Sequence, residues 1–348
     1  MSANRSVFAV LLLLSAAVFQ LPAQQTETGR KQVDAVKAKA ETGDAESEYQ
    51  VGLRYYNGDG VAKDFGQAVK WLRKAAEQGL AAAQVDLGRA CFRGDGVPQD
   101  FVQAVKWSRK AAEQGNIRGQ YNLGIAYCRG DGVPKDFSEA VKWFRKAAEQ
   151  GDSKGQYSLG IAYYRGQGVA KDFAQAVKWF RKAAGQGLAA AQGDLGACYF
   201  SGEGVSQDFA QAVKWSRKAA EQGNIRGQYS LGIAYYRGIG VPKDFSEAVK
   251  WYRKAAEQGF AAAQGDLGLC CARGEGTAKD EVEAYKWFLL AAGQGNADAK
   301  KNMAVSESRL TQEQISEGQK LTRNFKLRTV PSDGGDSSST GIEQTPPP

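Results

Sequence analysis

Seven tryptophans stand at positions 71, 107, 143, 179, 215, 251 and 287, each 36 residues from the next. The same interval separates Gly52, Gly88, Gly124, Gly160, Gly196, Gly232 and Gly268, the Gly-x-Gly pairs that begin at Gly58, and the closing glycines from Gly79 to Gly295. A period between about 20 and 50 residues marks a repeat array, in which each unit buries its apolar flanks against its neighbours. Seven units are therefore expected over residues 44–295. Residues 116–151 and 224–259 differ at only four positions (122/230, 128/236, 131/239 and 144/252) and lie three units apart, which points to duplication of a triplet.

Each unit carries two helical patterns. In unit four, "DSKGQYSLGIAYY" sets Gly155, Leu159 and Tyr163 on one face and Tyr157, Ile161 and Tyr164 on a neighbouring one, so this helix is covered on two sides. The second segment, "DFAQAVKWFRKAAGQG", puts Phe173, Ala176, Val177, Phe180 and Ala183 on one stripe and leaves Lys178, Arg181 and Lys182 outside it. An Asp opens every second helix with Gln or Glu three residues on, from Asp64 with Gln67 to Asp280 with Glu283, which resembles a capping box. Gly79 and its equivalents close it, since glycine turns left-handed after a helix without penalty. Alanine-, lysine- and glutamate-rich text between the glycines favours helix, and no strand pattern competes.

The stretch "RGDGVPKD" at 129–136 is thereby punctuation between helices. Its middle Gly-x-Gly residue drifts along the array through Asp59, Asp95, Asp131, Gln167, Glu203, Ile239 and Glu275, which disfavours an adhesion signal. No strand precedes it and its spacing is not that of a phosphate loop.

The unit "AAAQ..LG..Y..G.GV.KDF..AVKW.RKAAEQG" resembles the Sel-1-like repeat, a 36-residue relative of the tetratricopeptide repeat, over the whole of residues 44–295. The resemblance implies an all-α fold, a right-handed α/α superhelical solenoid whose first helices line a concave groove, and scaffolding or adaptor work in a bacterial secreted or periplasmic protein. One branch of that family ties its helix pairs with disulfides. Cys91, Cys128, Cys198, Cys270 and Cys271 depart from it, since all fall late in first helices and no second helix has a cysteine. Packed helices lie about 8–10 Å apart, whereas a disulfide needs Cα atoms within about 7 Å, so these thiols are expected as buried apolar groups.

Arrays need ends. Residues 1–23, with Arg5 and an apolar run from Val7 to Phe19, read as a signal peptide, with a retained membrane anchor as the competing reading. Residues 24–43 read as an N-terminal cap, with "VDAVKAKAETGD" a degenerate second helix. Residues 296–330 read as C-terminal capping helices. Leu289 and Leu290 replace the Arg-Lys of other units, and a helix carrying Ile315, Leu321 and Phe325 is expected to cover them. Residues 331–348 are expected to be disordered.

The chain has no histidine, which removes the commonest general base, Ser-His and Cys-His nucleophile pairs and most zinc sites. No catalytic residue, cofactor or metal site is expected. The net charge of +8, or +7 without residues 1–23, leaves Lys70, Arg73, Lys74 and their repeats as a solvated outer face, with contact to anionic cell-envelope polymer as the alternative. Nucleic acid is not the expected partner of a secreted chain.

Candidate ligand-binding residues fall on the first helices: Arg118, Tyr121 and Arg129 in unit three, Lys154, Tyr157, Tyr164 and Arg165 in unit four, and Arg226, Tyr229, Tyr236 and Arg237 in unit six, with Arg93 and Arg273 extending the arginine ladder. Tyr and Arg are enriched at interaction hot spots, and guanidinium groups suit carboxylates. The same pattern is also what tyrosine filling, helix-end arginines and recent duplication would leave. The expectation is a non-enzymatic scaffold binding an extended peptide or protein segment. A glycan or peptidoglycan binder is the alternative, and an envelope hydrolase a second.

Overall fold

The computed structural model describes residues 33–328, all of whose regular elements are helices. The expected signal peptide and the tail at 331–348 lie outside the described residues. The chain divides into two compact units at Gln150/Gly151. In the first, α1 (33–41) precedes three helix pairs: α2 (Ala45–Asn57) with α3 (Phe65–Glu77), α4 (Ala81–Arg93) with α5 (Phe101–Glu113), and α6 (Ile117–Arg129) with α7 (Phe137–Glu149). In the second, α8 (Ser153–Arg165) pairs with α9 (Phe173–Gly185), α10 (Ala189–Ser201) with α11 (Phe209–Glu221), α12 (Ile225–Arg237) with α13 (Phe245–Glu257), and α14 (Ala261–Arg273) with α15 (Glu281–Gly293); α16 (Ala297–Glu307) and α17 (Gln312–Arg323) follow. Both units are solenoids of paired helices.

The turn within each pair is built from three local devices. The first helix ends on a left-handed glycine such as Gly58, whose N–H donates to the Arg54 carbonyl at 2.8 Å. The Asp side chain then caps the second helix: Asp64 Oδ1 accepts from Gln67 N at 2.9 Å, and its six equivalents do the same. The reciprocal half of a capping box is missing, a correction to the sequence expectation. The N–H that the Gln or Glu side chain would satisfy is already used, since Asp64 N donates to Tyr55 O at 2.9 Å, and Asp100, Asp136, Asp172, Asp208, Asp244 and Asp280 bond to the corresponding first-helix carbonyls. That bond holds the two helices as a hairpin. Only α17, which has no such partner, closes the full box, between Thr311 and Gln314.

Packing follows the repeat. Leu87, Leu123, Leu159, Leu195, Leu231 and Leu267 are fully buried, one per first helix, each worth about 1.5–3 kcal/mol of transfer free energy. Close helix approach needs glycine at Gly160, where a Cβ would stand 2.7 Å from the Phe180 ring. The second glycine of the Gly-x-Gly serves the neighbouring repeat: at Gly96, with φ of +73°, a Cβ would stand 2.2 Å from the Phe65 carbonyl oxygen.

A glutamine ladder runs through both units. Gln192 is buried; its Nε2 donates to Ala184 O at 3.2 Å and its Oε1 accepts from Gln222 at 2.7 Å, so one amide joins three helices. Gln84, Gln120, Gln228 and Gln264 repeat the arrangement.

At the N-terminal end, Ala40 of α1 packs with Val51 and Trp71. At the other end, Phe325 packs edge-on to Trp287 at 5.5 Å and joins the core that Leu290 borders, while Gly318 sits against Tyr285. Leu321, expected in the cover, is exposed, because α17 makes its close approach through Gly318 and the residues beyond its end.

Candidate binding face

Within each unit consecutive first helices touch, α4 with α6 and α10 with α12, and the side they share is the candidate face.

The expected tyrosines lie on this face, half-buried, and the hydroxyls of Tyr157, Tyr164, Tyr229 and Tyr236 are committed to the next repeat. Tyr157 donates to Asp194 Oδ2 at 2.9 Å and Tyr229 to Asp266 Oδ2 at 3.0 Å, each 37 residues on. Tyr164 donates to Glu203 and Tyr236 to Glu275, both at 2.7 Å and 39 residues on. In the first unit Tyr49 reaches Asp86 at 2.8 Å and Tyr56 reaches Asp95 at 2.7 Å by the same two steps. Tyr121 packs its ring 6.0 Å from Phe144. A third repeat completes two of these contacts: Arg226 Nη1 lies 3.3 Å from Asp194 Oδ1, and Arg118 lies 3.6 Å from Asp86 Oδ1. Tyr49–Asp86–Arg118 and Tyr157–Asp194–Arg226 are thus one Tyr–Asp–Arg chain, copied three repeats apart.

The other expected cations are placed at helix ends. Lys154 and Arg226 stand in the first turns of α8 and α12, half-buried; Arg93, Arg129, Arg165, Arg237 and Arg273 stand in the last turns of their helices, where cations complement the macrodipole. Arg93, Arg237 and Arg273 are exposed. Arg273 reaches the Tyr236 hydroxyl at 3.3 Å, so it crosses to the preceding repeat as Arg226 does.

The acids Asp86, Asp194, Asp266, Asp95, Glu203 and Glu275 were not read from the sequence as partners of this face. Acid stands 39 residues after Tyr56, Tyr164 and Tyr236, but Phe92, which has no hydroxyl, is also followed at that distance by Asp131, so the spacing alone does not single out these pairs.

The outer face is also less free than its charge pattern implies. Lys74, Lys110, Lys146, Lys182, Lys218 and Lys254 each lie over the tryptophan three residues earlier, at 4.1–4.8 Å from the ring centre. Arg109, Arg181 and Arg217 donate to Tyr127, Tyr199 and Tyr235 of the following repeat at 2.7–3.0 Å. The arginines thus tie successive repeats together, whereas Lys74, Lys110, Lys146, Lys182 and Lys218 stay within their own helices and are exposed, as expected of a solvated face.

Burial first, then Asp194, pushes the Tyr157 hydroxyl well above the usual phenol value, and burial raises the Asp194 carboxyl against the pull of Arg226 and Tyr157. Burial pushes the Cys198, Cys270 and Cys271 thiols up to about 12. Activated nucleophiles move the other way. All five cysteines are free; four are buried as expected and Cys128 is half-buried. Among the described residues no group of three or more Cys, Asp or Glu side chains could hold a metal ion, and no helix is long and apolar enough to cross a membrane.

Helix hairpins stacked at a constant 36-residue step, with no strand among the described residues, define an all-α solenoid of the tetratricopeptide-like class. The chain belongs to the Sel1 repeat family, whose repeat matches residues 45–80, 81–116, 117–152, 153–188, 189–224, 225–260 and 261–296 in unbroken succession. Among solved structures it is similar to a protective antigen of uropathogenic Escherichia coli with an SLR fold, at 40% identity and a TM-score of 0.74 over 84% of this chain and 64% of the antigen's. A Sel1 repeat protein from Oxalobacter formigenes matches at 36% identity and a TM-score of 0.64, over 79% of this chain and 80% of that one. The secretory immunoglobulin A-binding protein EsiB of E. coli is 42% identical over 72 residues, 21% of this chain and 14% of that protein. The chain thus spans less than two thirds of the antigen and a small part of EsiB; all three relatives are bacterial.

Proposed function

We propose that this chain is a non-enzymatic adaptor that binds an extended peptide or protein segment on its first-helix face, outside the bacterial cytoplasm. The observation that carries this reading is the fixing of four of the face's tyrosines: the hydroxyls of Tyr157, Tyr164, Tyr229 and Tyr236, each tied to a carboxylate one repeat on, hold their rings in one orientation before any partner arrives. Such a surface loses little side-chain freedom on binding, and rings held beside arginines are the side chains that dominate interaction energies. The exposed guanidinium groups of Arg237 and Arg273 supply charge at the edge of the same face. The family's general work as protein scaffolds supports the reading, and EsiB is named for binding a protein, though the shared 72 residues carry nothing so specific as an immunoglobulin to this chain. The signal-like residues 1–23 support an extracytoplasmic site.

Capture from a bacterial envelope fraction tests this. Arg237→Gln with Arg273→Gln removes exposed charge from the edge of the face. Loss of a partner held by the native chain, with helical circular dichroism unchanged, is expected; a partner retained at full level overturns the face as the binding surface. Salt-sensitive retention on anionic envelope polymer that survives these substitutions would favour the outer lysines and the glycan alternative.

A further inference from the structure

Asp266 repeats the setting of Asp194 with one member missing. In both, Oδ2 accepts from a tyrosine of the preceding repeat, Tyr157 or Tyr229, at 2.9 or 3.0 Å. At Asp194 the other oxygen, Oδ1, lies 3.3 Å from Arg226 of the following repeat, and at Asp86 the same oxygen lies 3.6 Å from Arg118. The position equivalent to Arg118 and Arg226, 72 residues beyond the latter, is Asp298 on α16. An anion therefore stands where the partners of Asp86 and Asp194 are cations, and no hydrogen bond or ion pair reaches Asp266 Oδ1 among the described residues. Burial raises the Asp266 carboxyl against the pull of the Tyr229 hydroxyl and Arg237, as it raises that of Asp194 against Arg226, Tyr157 and Arg165, so the difference between the two settings is the third-repeat guanidinium. Asp266 is half-buried.

We propose that Asp266 receives an arginine side chain from a partner polypeptide, in the place that Arg226 takes over Asp194. The proposal rests on the peptide-binding reading above and names the chemistry the partner must bring to the seventh repeat. The protein supplies the precedent: twice the same Tyr-held carboxylate takes a guanidinium, delivered along the first-helix face from the next repeat. An arginine fits because its planar fork can meet Asp266 Oδ1 and turn its remaining N–H groups toward Asp298. Asp298 is 88% exposed and its own contact, Lys301 at 3.6 Å, is 79% exposed, so that pair is screened by water and does not compete strongly. A metal ion would find one free oxygen and no neighbouring ligand set.

The test uses the full chain with Asp carboxyl carbons labelled for NMR, titrated with N-acetyl-arginine amide and, as the neutral isostere, N-acetyl-citrulline amide. Expected is a saturable shift of the Asp266 signal with the arginine probe, at least about tenfold weaker with citrulline, as the loss of one charge-assisted hydrogen bond implies. Asp194 should stay silent in the native chain and become responsive in Arg226→Ala. Asp298→Arg should fill the place from within and abolish the Asp266 response. An Asp266 signal that moves no more than other exposed carboxylates, or equally with both probes, overturns the proposal. Its failure is separable from that of the adaptor reading: a silent Asp266 with envelope capture unaffected by Asp266→Asn sinks the arginine site alone, and a responsive Asp266 with no envelope capture sinks the adaptor alone.

Discussion

The Tyr157 hydroxyl donates to Asp194 Oδ2 at 2.9 Å across the gap between two consecutive first helices, and Arg226 closes on the same carboxylate from the third. One side chain thereby registers three repeats. Asp194 is only 13% exposed, so water cannot replace a lost donor. Tyr157→Phe is expected to cost about 1–3 kcal/mol in urea unfolding, the penalty of leaving a buried charged acceptor short of a partner. A cost within experimental error would remove the relay from the account of inter-repeat stability.

Two glycines with similar backbone angles separate conformational strain from packing. Gly79, at φ of +97°, has nothing within 4 Å of a would-be Cβ, whereas Gly96, at +73°, has the Phe65 carbonyl at 2.2 Å. Gly79→Ala should cost about 1–2 kcal/mol, the ordinary penalty of a left-handed non-glycine residue. Gly96→Ala should cost at least twice as much, because the preceding repeat must move; equal melting temperatures for the two variants would contradict this.

Capping at the second helices runs one way only. Asp172→Ala removes the acceptor for Gln175 N and should cost about 1 kcal/mol. Gln175→Ala should be nearly neutral, because the Asp172 N–H is held by Tyr163 O rather than by the glutamine. Chemical denaturation of the two variants reads the asymmetry directly.

The buried thiols predict a loss of stability at alkaline pH. Cys198, Cys270 and Cys271 stay protonated in the folded chain up to about 12, while in the unfolded chain they ionise around the ordinary thiol value of 9.0. The unfolded state therefore gives up protons first, and the thiol contribution, complete below 9, shrinks as pH rises toward 12. Cys198→Ala should show a shallower fall in stability between pH 9 and 11 than the native chain, the tyrosines being common to both. Iodoacetamide at pH 8 should reach half-buried Cys128 before the other four cysteines.

Much of the array was legible because its determinants are local. The Asp caps, the glycine stops and the apolar stripes act within one helix or one turn, and the 36-residue spacing multiplied each signal seven times. The Leu289 and Leu290 replacement correctly pointed to a covered end, yet the cover is made by Phe325 and Gly318 and not by Leu321, since the rotation of α17 depends on the Tyr285 ring it meets. The candidate face was legible only as a list of residues. Tyr157, Tyr229 and Arg226 were picked out as members of first helices, but their partners lie 37 and 32 residues away along the chain.

What the amino-acid order determined alone is the hairpin and its repetition, since helix length, capping and amphipathic stripe are set by neighbours within a few residues. What the folded array decided is which side chains remain available. Stacking brings a tyrosine of one repeat over an acid of the next, and a guanidinium of the third over the same acid, so groups that look like a ligand ladder in one dimension satisfy one another in three. The physical reason is that a buried carboxylate is stable only with its donors in place, and only the stacking of successive hairpins determines whether the array supplies them or, as at Asp266, leaves one position open.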